Sequence, residues 1–132
     1  MGKNKKILIV DDDPDFVETT KIVLESKEYD VLSASGPEEG FKKVSEGKPD
    51  LIILDVMWPD RISGFEMCRR LKKDADSQNI PILMITAVDE KYGMGFKNVA
   101  GDETWLPTDE FLCKPVEPEM LLSKIEELLP NV

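Results

Sequence analysis

Four short, unbroken apolar runs constrain this chain most, because each ends on a residue able to do chemistry. Ile7-Leu8-Ile9-Val10 runs into Asp11-Asp12-Asp13, and Leu51-Ile52-Ile53-Leu54 runs into Asp55. Ile82-Leu83-Met84-Ile85 ends on Thr86, and Phe111-Leu112-Cys113 ends on Lys114-Pro115. Strands buried on both faces of a parallel sheet read as continuous runs of this kind, and helical crossovers join them. In an open α/β sheet the ligand crevice lies outside the carboxyl ends of the strands. The acidic cluster, the lone aspartate, the hydroxyl and the amine therefore converge on one edge.

The segments between the runs carry the crossover pattern. Strands are predicted over 5–11, 30–35, 50–56, 81–87 and 110–114. Helices are predicted over 14–27, from Gly36-Pro37 to Gly47, over 64–74 and over 118–129. The first helix places Phe16, Thr20, Val23 and Leu24 on one face. The third turns Cys68 and Leu71 inward, and the last lines up Leu121, Ile125 and Leu128. A turn is expected at Trp58-Pro59-Asp60 and Ser63-Gly64. Residues 88–109 contain Gly93, Gly95, Gly101 and Pro107, poor helix-interior residues, so a short or irregular fourth helix is expected there. An extended loop around Asp102-Glu103-Thr104-Trp105-Leu106 then follows. So long a connection is a candidate binding or gating segment, or an ordinary solvated loop with Trp105 tucked onto the body. The 132 residues fit one domain, 1–132, of α/β class with a parallel sheet.

Charge and missing residue types narrow the function. Seventeen basic against 27 acidic residues give a net charge of −10, which repels nucleic acid phosphates and anionic membranes. A cation or a basic partner face suits such a surface better, and direct nucleic acid binding is not expected. The chain has no histidine, which excludes imidazole acid/base chemistry, histidine phosphorylation and imidazole metal sites. Cys68 and Cys113 show no metal-ligand spacing and read as reduced core thiols, which points to a reducing, cytoplasmic setting. The N-terminus has no signal-peptide core or membrane span, and Lys6 breaks the myristoylation pattern.

The acidic residues take separate roles. Asp13 precedes Pro14, the usual start of a helix, and reads as an N-cap. Asp11 and Asp12 remain at the strand tip. Beside Asp55 they would repel one another, which a divalent cation relieves, and all-oxygen ligands suit Mg²⁺ or Mn²⁺. An EF-hand reading of Asp11, Asp13 and Asp15 fails, because Phe16 stands where that loop needs glycine and Ile22 where it needs glutamate. Asp55 is either a turn cap or a nucleophile forming an acyl phosphate. Already ionised at neutral pH, it needs no general base. Thr86 supplies a hydroxyl and Lys114 a point charge for the transferring group, and the small Ala87 leaves it room.

Taken together, ILIVDDDPD, LIILDVMWPD with SGFE, ILMITA and FLCKP closely resemble the response-regulator receiver domain of two-component signalling, across essentially the whole chain. The resemblance implies a flavodoxin-like three-layer sandwich with a doubly wound five-stranded sheet in the order 2-1-3-4-5, an order for which receiver proteins are a standard example. It implies that Asp55 accepts a phosphoryl group from a sensor histidine kinase or a His-phosphotransfer protein. It implies Mg²⁺ bound by Asp12, by Asp11 through water, by Asp55 and by the Met57 carbonyl. Thr86 and Lys114 would sense the phosphoryl group, and Phe111 would be the switch aromatic, lacking a tyrosine hydroxyl. The output face would be the fourth crossover, fifth strand and last helix, on a monomer or weak homodimer. Two departures stand out: Arg61-Ile62 lengthens the turn after Asp55, and extra length near 101–109 separates Thr86 from Phe111.

Two alternatives are weaker. An aspartate-nucleophile phosphohydrolase usually carries an aspartate two residues after the nucleophile, where this chain has Met57. A pseudo-receiver would lack one of Asp12, Asp55, Thr86 or Lys114, and all are present. Apolar Met57 and Val88 position an attacking water poorly, so slow self-dephosphorylation is expected.

Overall fold

A computed structural model describes residues 5–56, 61–75, 77–87, 110–114 and 116–129. Five strands, β1 (Lys6–Val10), β2 (Asp30–Ala34), β3 (Leu51–Val56), β4 (Ile82–Ala87) and β5 (Glu110–Lys114), form one sheet. The order is β2-β1-β3-β4-β5, and every neighbouring pair is parallel. Four helices are described: α1 (Pro14–Glu25), α2 (Pro37–Gly47), α3 (Arg61–Lys73) and α4 (Pro118–Leu128). The expected fourth crossover, 88–109 with Trp105, lies outside the described residues.

Alternation along the strands sorts the core into two layers. Leu8, Val10, Ile52, Leu54, Ile82 and Met84 pack with Val44 of α2 and with Met67, Cys68 and Leu71 of α3. Ile7, Ile9, Leu51, Ile53, Leu83 and Ile85 pack with Leu24 of α1 and with Leu121 and Ile125 of α4. The central strands are buried on both faces, so their sequences are unbroken apolar runs rather than alternating ones. Cys68 is a fully buried core side chain, as its helical spacing implies. The side chain of Cys113 lies outside the described residues.

Local chemistry sets the helix starts. The Asp13 side chain accepts from the backbone N–H of Asp15 at 3.0 Å and of Phe16 at 3.4 Å, with Pro14 in the first turn of α1. α2 begins after Gly36, which has no side chain to cap with, and Glu39 compensates from inside the helix. Its carboxylate accepts from the Ser35 backbone N–H at 2.7 Å and the Ser35 hydroxyl at 3.1 Å. α3 departs from expectation: it starts at Arg61, not near Gly64, so Arg61-Ile62 belongs to the helix rather than to a lengthened turn. Glycine costs a helix about 1 kcal/mol relative to alanine through backbone entropy, and burial of Met67, Cys68 and Leu71 outweighs both that cost and the turn signal of Ser63-Gly64. No helix among the described residues is long and apolar enough to cross a membrane.

Candidate functional site

The strand register brings the chemistry together. Val10 pairs with Leu54, so Asp11 and Asp55 follow as neighbours at the carboxyl ends of β1 and β3. Both share the parity of Ile9 and Ile53, which puts them on the α1 and α4 side of the sheet. The backbone N–H of Asp11 donates to the Ala34 carbonyl of β2 at 3.0 Å, which fixes the strand tip.

Ligand oxygens of Asp11, Asp12 and Asp55 all lie within 4.8 Å of one another. Asp11 is buried at 5% exposure, Asp12 is exposed and Asp55 is intermediate, so among the three the cluster meets solvent chiefly at Asp12. Both carboxylate oxygens of Asp55 are shielded from solvent. One oxygen of Asp11 accepts the backbone N–H of Asp13 at 2.8 Å. That link between the cluster and the α1 cap has no motif of its own in a run of three aspartates. Three carboxylates this close repel unless a cation lies among them, and an all-oxygen donor set suits a hard ion. The cluster could therefore hold a metal ion.

The register also places the other candidates at this edge. Thr86 aligns with Val56 on β3 and with Cys113 on β5, and Ala87 aligns with Lys114. Thr86 thus stands at the carboxyl end of β4, the strand beside Asp55, and Lys114 at the carboxyl end of β5, one strand further out. Phe111 aligns with Met84, further back along β5. The backbones of Thr86, Phe111 and Lys114 are described, whereas their side chains lie outside the described residues. Met57, expected to offer a carbonyl, also lies outside them, as does Val88. Asp13 caps α1 and stays out of the cluster, as its place before Pro14 implies.

A family model for the response regulator receiver domain matches residues 7–126. The chain is 41% identical over 126 residues to the alkaline phosphatase synthesis transcriptional regulatory protein PhoP of Bacillus subtilis, covering 96% of this chain and 49% of that protein. It is 32% identical over 127 residues to the protein PilH of Pseudomonas aeruginosa, covering 94% of this chain and 97% of that one. A crystal structure of a CheY-like response regulator receiver domain protein from Methanospirillum hungatei superposes with a TM-score of 0.77 at 32% identity, over 96% of this chain and 94% of that one. The chain spans about half the length of several curated relatives it matches.

Proposed function

This chain belongs to the response regulator receiver domain family of two-component signalling, and on that premise we propose that residues 1–132 work as one phosphorylation-dependent switch with Asp55 as acceptor. One observation carries the reading: the Asp11, Asp12 and Asp55 carboxylates gather within 4.8 Å at the carboxyl edge of the sheet. Asp55 has the right character for a nucleophile. It is a carboxylate needing no base, held at a strand end between neighbours that can take a cation. Asp12, Asp11, Asp55 and the Met57 carbonyl would hold Mg²⁺ or Mn²⁺, which when bound would offset charge on a transferring phosphoryl group.

The remaining residues act by position. Thr86 and Lys114 sit on the next strands at the same edge, where a hydroxyl and an ammonium can meet the oxygens of a phosphoryl group on Asp55. Drawing Thr86 toward that group would bias Phe111 and shift a two-state equilibrium at β4, β5 and α4. The reaction is self-phosphorylation and self-dephosphorylation rather than turnover of a separate substrate. Its donor would be a sensor histidine kinase or His-phosphotransfer protein in the cytoplasm. The net charge of −10 disfavours contact of this domain with nucleic acid. Relatives whose names state DNA binding are about twice the length of the stretch matched here.

The test is intact mass after incubation with acetyl phosphate and Mg²⁺, beside Asp55→Asn and a chelator control. A single phosphoryl adduct lost in both controls is expected. An adduct retained in Asp55→Asn would reject Asp55 as the acceptor.

A further inference from the structure

Asp13 sits between the carboxylate cluster and α1 and is bonded to both. On the helix side its carboxylate accepts the backbone N–H groups of Asp15 at 3.0 Å and Phe16 at 3.4 Å. Its carbonyl accepts the N–H of Val17 at 3.1 Å, the first bond of the helix ladder. On the cluster side its own N–H donates to Oδ1 of Asp11 at 2.8 Å. That N–H is therefore aimed by the first turn of α1.

The bond matters because of what surrounds Asp11. The Asp11 backbone is fixed by its bond to the Ala34 carbonyl, and the side chain is 5% exposed. A carboxylate still turns readily about its last bond, where the torsional wells are broad. Oxygens of Asp12 and Asp55 lie within 4.8 Å, and like charge at that range pushes the Asp11 carboxylate to turn away. A donor on one oxygen holds the plane of the group, and a hydrogen bond to an ionised acceptor is a strong one. The orientation that a cation would meet is thus set by a residue that stands outside the cluster.

With the cluster read as a divalent cation site, the geometry points to Asp13 as the residue that positions Asp11 for the ion, through its main-chain N–H. Its carboxylate is engaged in the helix cap, so Asp13 acts without being a ligand. The coupling runs both ways: whatever the bond adds to cation binding, a bound cation returns as resistance of that bond to opening. Cation occupancy therefore also holds the start of α1.

The test replaces Asp13 by its α-hydroxy acid, which puts an ester oxygen in place of the N–H and keeps the capping carboxylate. Cys68 allows a synthetic segment 1–67 to be ligated to residues 68–132. Mg²⁺ affinity is read by titration calorimetry at fixed ionic strength, beside thermal melts of each protein. The Asp13 ester should weaken Mg²⁺ binding about tenfold, the lower end of what an orienting partner of a ligand contributes. The same exchange at Ser26, whose N–H donates to the Ile22 carbonyl at 3.1 Å at the far end of α1, should lower the melting temperature and leave Mg²⁺ affinity unchanged. In the parent chain, hydrogen exchange of the Asp13 amide should slow by a matching factor at saturating Mg²⁺, a reading that needs no variant to fold. Undiminished binding by the Asp13 ester, equal weakening by the Ser26 ester, or Asp13 exchange indifferent to Mg²⁺ would overturn the role of Asp13 and leave the cation site standing. A parent chain that binds no Mg²⁺ would overturn the cation site itself, and the role of Asp13 with it.

Discussion

The backbone N–H of Asp13 donates to Oδ1 of Asp11 at 2.8 Å, while the side chain of Asp13 caps α1. One residue therefore fixes both the start of a helix and the orientation of a cluster carboxylate. Asp13→Ala should lose the cap and cost about 1 kcal/mol. Asp13→Asn should lose little, since an amide oxygen caps as well. Both keep the N–H that holds Asp11, so Mg²⁺ affinity should fall far less than stability does in the alanine variant. Urea unfolding and a Mg²⁺ titration of the same samples separate the two effects.

Gly40 of α2 tests how tightly that helix meets the sheet. A Cβ at this position would lie 2.6 Å from the Met67 Cε and 3.3 Å from the Val10 Cγ2. The Met67 Cε is the free end of a flexible side chain that borders an open cavity between α2 and α3, so it can swing aside, and the Val10 contact asks for a shift of only a fraction of an ångström. That small cost is offset by a helix-propensity gain of about 1 kcal/mol. Gly40→Ala should therefore stay within about 1 kcal/mol of the parent, whereas Gly40→Leu should overpack the site and destabilise by about 1–3 kcal/mol. A lower urea midpoint at unchanged slope is the expected reading for the leucine variant.

Tyr29 gives a pH dependence with a defined sign. It is 5% exposed, and burial first, then the Glu126 charge, push its hydroxyl above the ordinary value of 10.0. Between the unfolded and folded values the unfolded chain holds fewer protons, so stability falls as pH rises. The contribution is fully present below pH 10.0 and is lost above it. Tyr29→Phe keeps the ring and should flatten the alkaline fall in melting temperature while leaving the neutral range nearly unchanged.

Glu39 gives the opposite sign at the acid end. The Ser35 backbone N–H, then its hydroxyl, hold this carboxylate below its ordinary value of 4.5. The unfolded chain then binds the proton first, so the contribution is present above pH 4.5 and is lost as pH falls through the lower folded value. Ser35→Ala removes only the hydroxyl and should weaken the acid dependence in part, whereas Glu39→Gln should remove it. Melting temperature between pH 3 and 6, roughly the span of carboxylate titration, reads this out.

Much of this was legible in the sequence because parallel strands leave an unambiguous mark. Ile52, Ile53 and Leu54 are buried on alternating sides, so nothing polar interrupts them until Asp55 reaches the edge. Asp13 before Pro14 named its own role. The start of α3 departs from the strong local turn signal of Ser63-Gly64, because what decides it is burial of Met67 and Cys68 in one cluster with Ile52 and Leu54, residues distant in sequence. Stacking of Arg70 on Phe41 joins residues on different helices, and no spacing within either helix announces it. The Glu39–Ser35 clamp carries no sequence mark, because the usual box reaches the N-cap, and here the cap is Gly36.

The carboxylate cluster makes the firmest link between fold and function. Asp11, Asp12 and Asp55 each bring a negative charge to within 4.8 Å of the others, so folding without a cation must overcome their repulsion. Unfolding separates them, so a divalent ion stabilises the folded state by preferential binding, about 2.7 kcal/mol at a hundredfold excess over its Kd. Mg²⁺ should raise the melting temperature at fixed ionic strength, and a matched dose of NaCl should not. Asp12→Asn removes one charge from an exposed position, so it should raise the metal-free melting temperature while abolishing most of the Mg²⁺ increment. If it instead lowered metal-free stability and kept the full increment, Asp12 would be a structural residue and the ion would bind elsewhere.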